Sequence, residues 1–190
     1  METVGLVNER LKLLTAGEYA RMARLGVFAR QRVELLHGRV VELGPMGEEH
    51  GWVIQRLTMV LVEAFGAVAD VRVQLPVLAS EDSMPEPDFL LVPRTSRPGA
   101  HPRQGFLVIE VADTSLRFDR VVKAPLYAAG PAPEYWIVDL RRGALEVHRR
   151  PRRGAYSERL RLGRDDVVSP VAFPGVELKV RALLPPPRRR

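Results

Sequence analysis

The stretch from Phe106 to Asp139 restricts the fold more than any other part of the chain. Phe106 to Val111 is almost continuously apolar, the pattern of a central strand covered on both faces. Arg117 to Ala129 then reads as a helix, and Glu134 to Asp139 as a further strand. A helix between two such strands implies a right-handed crossover joining parallel neighbours.

Other elements assemble around this unit. Thr15-Ala16-Gly17-Glu18 reads as a capping box opening a helix to about Ala29, with Tyr19, Met22, Leu25 and Phe28 facing inward. Val33 to Leu36 and Val40 to Leu43 flank His37-Gly38, a tight hairpin whose turn needs a residue tolerant of positive φ. Gly47 to Phe65 places Val53, Ile54, Leu57, Val60, Leu61 and Ala64 at the spacing of an amphipathic helix. Val71, Val73, Leu75 and Val77 alternate like a half-buried strand, Phe89 to Val92 is a second buried strand, and Ala144 to Arg149 with Tyr156 to Arg161 predicts a hairpin at the sheet edge. The expected fold class is therefore mixed α/β, or α+β: a sheet with two helices packed on it, with no internal repeat or linker.

With 190 residues and 46% hydrophobic content the chain can bury one sizeable core, so residues 1–184 are expected to form one domain and 185–190 a disordered Pro/Arg tail. No apolar run approaches the ~18 residues of a membrane span, and the N-terminus carries charges where a signal peptide is apolar; a soluble, cytoplasmic protein is expected. The absence of cysteine excludes disulfides, thiolate nucleophiles and Cys-type zinc sites, leaving oxygen donors and four histidines for any metal. Hard cations lead under those conditions. The net charge of +6 favours an anionic partner. Part of it lies in Arg188, Arg189 and Arg190, behind Pro185 to Pro187, and part in Arg149, Arg150, Arg152 and Arg153. For these, a solvated hairpin tip and a frayed tail compete evenly with contacts to nucleic-acid phosphates. Only three lysines, Lys12, Lys123 and Lys179, stand among 29 Lys and Arg residues, a bias that fits an Arg-rich bacterial background and singles out each retained lysine.

Buried acidic side chains are costly, so those within or at the ends of apolar strands are informative. Asp88 opens the strand Phe89 to Val92, and Glu110 sits inside Leu107 to Val111. On adjacent strands their carboxylates could share one Mg²⁺, which is held by one or two carboxylates plus waters and a phosphate oxygen. A purely structural alternative has Asp88 capping a turn and Glu110 pairing with a buried arginine.

Pro87-Asp88, a following strand and then Glu110 resemble the PD-(D/E)XK pattern of restriction-endonuclease-like folds. More specifically, Leu107 to Ser115, continuing through Lys123 and Tyr127 to Pro133-Glu-Tyr-Trp-Ile-Val-Asp139, is similar to the Uma-two family of restriction-endonuclease-like proteins, long catalogued as a domain of unknown function. Glu34 to Arg39, His50 and Pro87-Asp88 follow in that family's order, and the resemblance covers about Thr15 to Val180.

The resemblance implies a restriction-endonuclease-like mixed sheet flanked by helices, with an added edge hairpin. It further implies that the motif lysine, whose plain position is Ala112 here, has moved to the following helix as Lys123, with Tyr127 one turn on. An ammonium there would position water and stabilise charge on phosphate, and arginine would substitute poorly because it cannot lose its proton. Glu34 stands where that fold often adds an acidic residue, directly or through water, against the alternative of an ordinary exposed strand residue. His50 could touch phosphate or assist proton transfer, or simply follow Glu48 and Glu49 at a helix start. Thr114 or Ser115 is expected as an N-cap, Trp136 as core and Asp139 as a strand end.

The implied function is an Mg²⁺- or Mn²⁺-dependent endodeoxyribonuclease. Asp88 and Glu110 hold the metal with Glu34 and the Val111 backbone carbonyl as further donors, Lys123 orients water, and His50 and Tyr127 are accessory. DNA is the expected partner, a homodimer the expected assembly for cutting two strands, and Arg149, Arg150, Arg152 and Arg153 the expected phosphate contacts. Two other readings stay open: a nuclease fold that binds nucleic acid or a protein without cutting, and an enzyme acting on another phosphodiester such as structured RNA or a nucleotide.

Overall fold

A computed structural model describes residues 11–95, 99 and 101–187. The terminal Arg188, Arg189 and Arg190 lie outside the described residues. The elements in chain order are α1 (Ala16–Arg24), β1 (Val33–Leu36), β2 (Arg39–Glu42), α2 (Glu48–Phe65), β3 (Ala69–Val73), β4 (Phe89–Pro93) and β5 (Leu107–Ala112). A helical stretch follows as α3 (Leu116–Phe118), a π-helical turn (Asp119–Lys123) and α4 (Ala124–Ala129). The chain continues through β6 (Glu134–Asp139), β7 (Ala144–Arg152), β8 (Ala155–Leu162), β9 (Val167–Val168), β10 (Leu178–Lys179) and α5 (Val180–Leu183).

Six strands form one sheet in the order β3-β4-β5-β6-β7-β8. β5 and β6 run parallel, as the helical crossover between them demands, and every other pair is antiparallel. Strand alternation divides β5 between two cores. Leu107, Ile109 and Val111 pack with Val53, Ile54, Leu57, Leu61 and Phe65 of α2 on one face. Val108 and Ala112 pack with Ala124 and Tyr127 of the crossover on the other. Glu110 has the same parity as Val108 and Ala112, so the pleat itself delivers its carboxyl to the crossover face.

A third apolar cluster of Ala16, Tyr19, Val33, Leu35 and Met84 joins α1 to the β1–β2 hairpin. The hairpin is tied to the segment preceding β4 by a pair of backbone bonds between Leu35 and Met84, at 2.7 and 3.3 Å. Its turn residues His37 and Gly38 both take positive φ, 49° and 73°, as a two-residue type I′ turn requires. The capping box at Thr15 is present in both directions, with Glu18 and Thr15 bonding each other's backbone N–H.

Several expectations need correction. α1 stops at Arg24 rather than near Ala29, because Gly26 turns left-handed with φ 79°. The strand through Val71 and Val73 does not reach Leu75 and Val77: Gln74 takes φ 48° and ends β3. The helix from Arg117 to Ala129 is interrupted by the π-helical turn. Pro125 has no N–H to give to Val121, so the ladder is already broken there, and the Ala124 N–H bonds five residues back to Asp119. Ser115 occupies the N-cap position without capping; its hydroxyl donates to Asp119 Oδ2 at 2.6 Å. Trp136 is core as expected, and Asp139 ends β6 by accepting from the Arg142 N–H at 3.0 Å. Among the described residues no helix is long and apolar enough to cross a membrane.

The β1–β2 turn supplies the first prediction. A Cβ on Gly38 would meet Leu13 Cβ at 2.6 Å while the backbone holds φ +73°. Gly38→Ala should therefore cost more than about 1 kcal/mol in urea denaturation. An unchanged midpoint would show that the turn does not constrain the hairpin.

Candidate active site

Four segments converge at the end of the sheet where β5 finishes and β4 begins. β1 brings Glu34, the segment leading into β4 brings Asp88, β5 brings Glu110, and the π-helical turn brings Asp119 and Lys123. They line one cleft of about 330 Å³ together with His50, Gln74, Glu86, Val111, Asp113 and Ser115.

Lys123 sits at its centre and is only 5% exposed. Its ammonium donates to Glu110 Oε1 at 2.9 Å and lies 3.4 Å from Glu34 Oε2. The Tyr127 hydroxyl, one helical turn on, donates to the same Glu110 oxygen at 2.8 Å. Glu34 is fully buried, not an exposed strand residue; its Oε2 also accepts the Glu86 N–H at 3.2 Å, and its Oε1 is buried without a hydrogen-bond partner. Asp88 is held from three sides. Its Oδ2 accepts the Val111 N–H at 2.8 Å, and its Oδ1 accepts from Gln74 Nε2 at 3.2 Å and lies 3.3 Å from His50 Nε2. The contact the structure gives Val111 is thus through its N–H. The left-handed Gln74 that ends β3 is the residue whose side chain reaches Asp88, so local strain and site geometry coincide.

The charges are unbalanced. Glu34, Glu86, Asp88, Glu110, Asp113 and Asp119 line the cleft against Arg32, Lys123 and His50. Burial pushes Glu110 up to about 8, helped by Asp88, Asp119 and Glu34 and opposed by the Lys123 ammonium. Burial likewise lifts Asp119 to about 6, against Lys123 and Ser115. For Asp88 burial works upward, but His50, the Val111 N–H and Gln74 outweigh it and hold the carboxyl below its ordinary value. Burial would strip the proton from Lys123, yet Glu110, Glu34 and Asp119 overcome this and raise its pKa. Lysine is therefore not favoured here for an ability to lose its proton. Its advantage over arginine is compactness: a point charge with three donors suits the buried position between Glu110 and Glu34 at the cleft floor.

The donors present fit a hard divalent cation. Two carboxylates on neighbouring strands suffice for Mg²⁺ with waters and a phosphate oxygen, and a buried Glu34 oxygen still lacks a partner. Among the described residues no group of three His, Asp or Glu converges on one point, so the acidic pair would be the core of any such site.

Elsewhere, Arg149 is partly buried and bonded to Glu134 Oε1 at 2.7 Å. Register places Arg149 opposite Glu134, at the start of β6, while Glu110 lies opposite Ile137 toward its end. The hairpin tip with Arg150, Arg152 and Arg153 is thus at the far end of the sheet from the cleft. Asp119, Glu86 and Gln74 were not singled out by the sequence. Asp119 precedes Lys123 by four residues, a helical spacing that could have flagged it.

A family model described as "putative restriction endonuclease" matches residues 16–181. Among solved structures, the fold is similar to a "putative nuclease" of Anabaena variabilis belonging to the family DUF820. That chain has a TM-score of 0.69 at 14% identity, with 90% of this chain and 97% of that one covered. No curated protein matches.

In chelator, Glu110 and Asp119 make the folded protein hold more protons than the unfolded chain between their ordinary values, 4.5 and 3.8, and about 8 and about 6. Stability should therefore fall as pH rises from about 5 to about 8, and Glu110→Gln should flatten the upper half of that slope. Urea midpoints measured across the range check this; a midpoint constant or rising with pH would contradict it.

Proposed function

The chain belongs to the Uma2 family of restriction-endonuclease-like proteins, and from that premise we propose that it is a metal-dependent endonuclease hydrolysing DNA phosphodiesters in the cleft around Lys123. The observation that carries the reading is the meeting of Asp88, Glu110 and Lys123 in one buried cluster, with the helix-borne lysine 2.9 Å from the strand-borne glutamate. That contact supplies what the displaced motif position, Ala112, cannot.

In this reading Asp88 and Glu110 hold Mg²⁺ or Mn²⁺, with the Val111 carbonyl as a further donor and the free oxygen of Glu34 acting through water. When bound, such an ion polarises the phosphate and lowers the pKa of a water. The chain's own residues do the rest. Gln74, His50 and the Val111 N–H fix the Asp88 carboxylate and keep it ionised. Tyr127, whose phenol is pushed well above its ordinary value by burial and Glu110, stays a donor and fixes the rotamer of Glu110. Lys123 remains protonated, so it acts by orienting water and by placing positive charge against the phosphate oxygens rather than by accepting a proton.

The rival reading, a fold that binds without cutting, draws on one observation. Glu110 Oε1 is already shared by Lys123 and Tyr127, so a cation must compete for that oxygen.

Cleavage of supercoiled plasmid in Mg²⁺ or Mn²⁺ separates the two. Metal-dependent nicking is expected from the wild type, lowered about 100-fold or more by Asp88→Ala and Lys123→Ala. Lys123→Arg should not restore it, because the guanidinium does not fit the pocket. A homodimer with one cleft per strand would yield linear product early. No nicking, or nicking that survives both alanine substitutions, would move the assignment to the binding module.

A further inference from the structure

A second depression, of about 590 Å³, adjoins the cleft and shares Asp113 and Thr114 with it. Two segments build it: the turn leading from β5 into α3 with the helical residues that follow it, and the turn between β6 and β7. Register sets them side by side, since Ala112 lies opposite Asp139 at the end of the parallel pair. The Leu140 N–H then bonds the Ala112 carbonyl at 3.0 Å.

Four arginines, Arg117, Arg120, Arg141 and Arg142, line the depression. Arg120 bonds Glu146 through both Nε and Nη2, and Arg142 Nη1 bonds Asp139 at 3.2 Å. Both carboxylates are buried, while the Arg120 and Arg142 side chains remain 41% and 50% exposed. The acids thus anchor the guanidiniums from beneath. Each guanidinium has five N–H donors, so most stay available to the open side. Arg141 Nε meets Asp113 at 3.2 Å on the rim shared with the cleft, and Arg117 is exposed. Against Asp113, Asp139 and Glu146, the four arginines leave the groove positive beside an acidic cleft.

We infer that this groove binds the sugar–phosphate backbone flanking the scissile phosphate, so that the nucleic-acid strand runs from the Lys123 cleft over Asp113 and Thr114 into the arginines. Anchored guanidiniums suit phosphate because they offer forked donors without the entropic cost of ordering a free side chain. This deepens the nuclease reading and rests on it for the identity of the strand. It also moves the phosphate contacts away from the β7–β8 hairpin, where Arg149 is committed to Glu134.

The test is fluorescence anisotropy of a labelled oligonucleotide duplex in CaCl₂ across a salt series. It compares wild type, R117Q/R141Q and R117E/R141E, with folding of each checked by thermal melting, and wild-type plasmid nicking runs in parallel. The Gln pair should weaken binding about 10-fold and make the plot of log K against log salt shallower by about two, and the Glu pair should weaken it further. Wild-type affinity and slope in both variants would overturn the groove even if the wild type nicks plasmid. Loss of binding in the variants alongside a wild type that binds but never nicks would uphold the groove and sink the nuclease reading. A wild type that does not bind the duplex would overturn the groove whatever the plasmid shows.

Discussion

A single buried ammonium organises this structure. Removing Lys123 from water would cost several kcal/mol were it not answered by carboxylates, and it is answered from two separate parts of the fold, Glu110 on the central strand and Glu34 on the hairpin. The lysine therefore ties the crossover helix to the sheet and to the hairpin, adding to the Leu35–Met84 bridge and the apolar cluster with α1 that also hold the hairpin. The pairing is lopsided, because Asp88, Asp119 and Glu86 stand behind the first two acids. A site with so many acids for so few bases has two ways to relax: it takes up protons, as the raised Glu110 and Asp119 carboxyls do, or it takes up a cation.

Two departures from regular geometry lie at the cleft. β3 ends in a left-handed Gln74 instead of running on, and the crossover helix widens into a π turn between Asp119 and Lys123. Each departure serves a side chain of the site: Gln74 reaches Asp88, and the π turn keeps both Asp119 and Lys123 buried on the sheet-facing side. Others lie away from it: Arg150 and Arg153 take positive φ in the β7–β8 hairpin, at the far end of the sheet.

What the sequence disclosed depends on how local each signal is. The α2 heptad-like spacing, the apolar run of β5 and the His37-Gly38 turn are local signals, and each element formed where its pattern lies. Asp88 and Glu110 stood out because charges inside apolar strands are expensive, and Lys123 because lysine is scarce in this chain. Asp119, Glu86 and Gln74 were hidden for the opposite reason: each resembles an ordinary polar loop or helix residue until the tertiary fold brings it to the cleft. The arginines differ in the same way. Arg149, Arg150, Arg152 and Arg153 are near neighbours in sequence and so read as a patch, and strand register sets Arg149 against Glu134. The arginines of the second depression come from the helical crossover and the β6–β7 turn, over twenty residues apart, and the parallel pairing of β5 with β6 brings those segments together.

A metal centre at this acidic cluster must take up a divalent cation. Titration of Mn²⁺ into the protein at neutral pH, read by electron paramagnetic resonance of the free ion, measures that directly. One site per chain is expected in the wild type, with Asp88→Asn and Glu110→Gln each abolishing it. Absence of binding by the wild type, or binding that both substitutions leave intact, would contradict the assignment of the cluster as a metal centre.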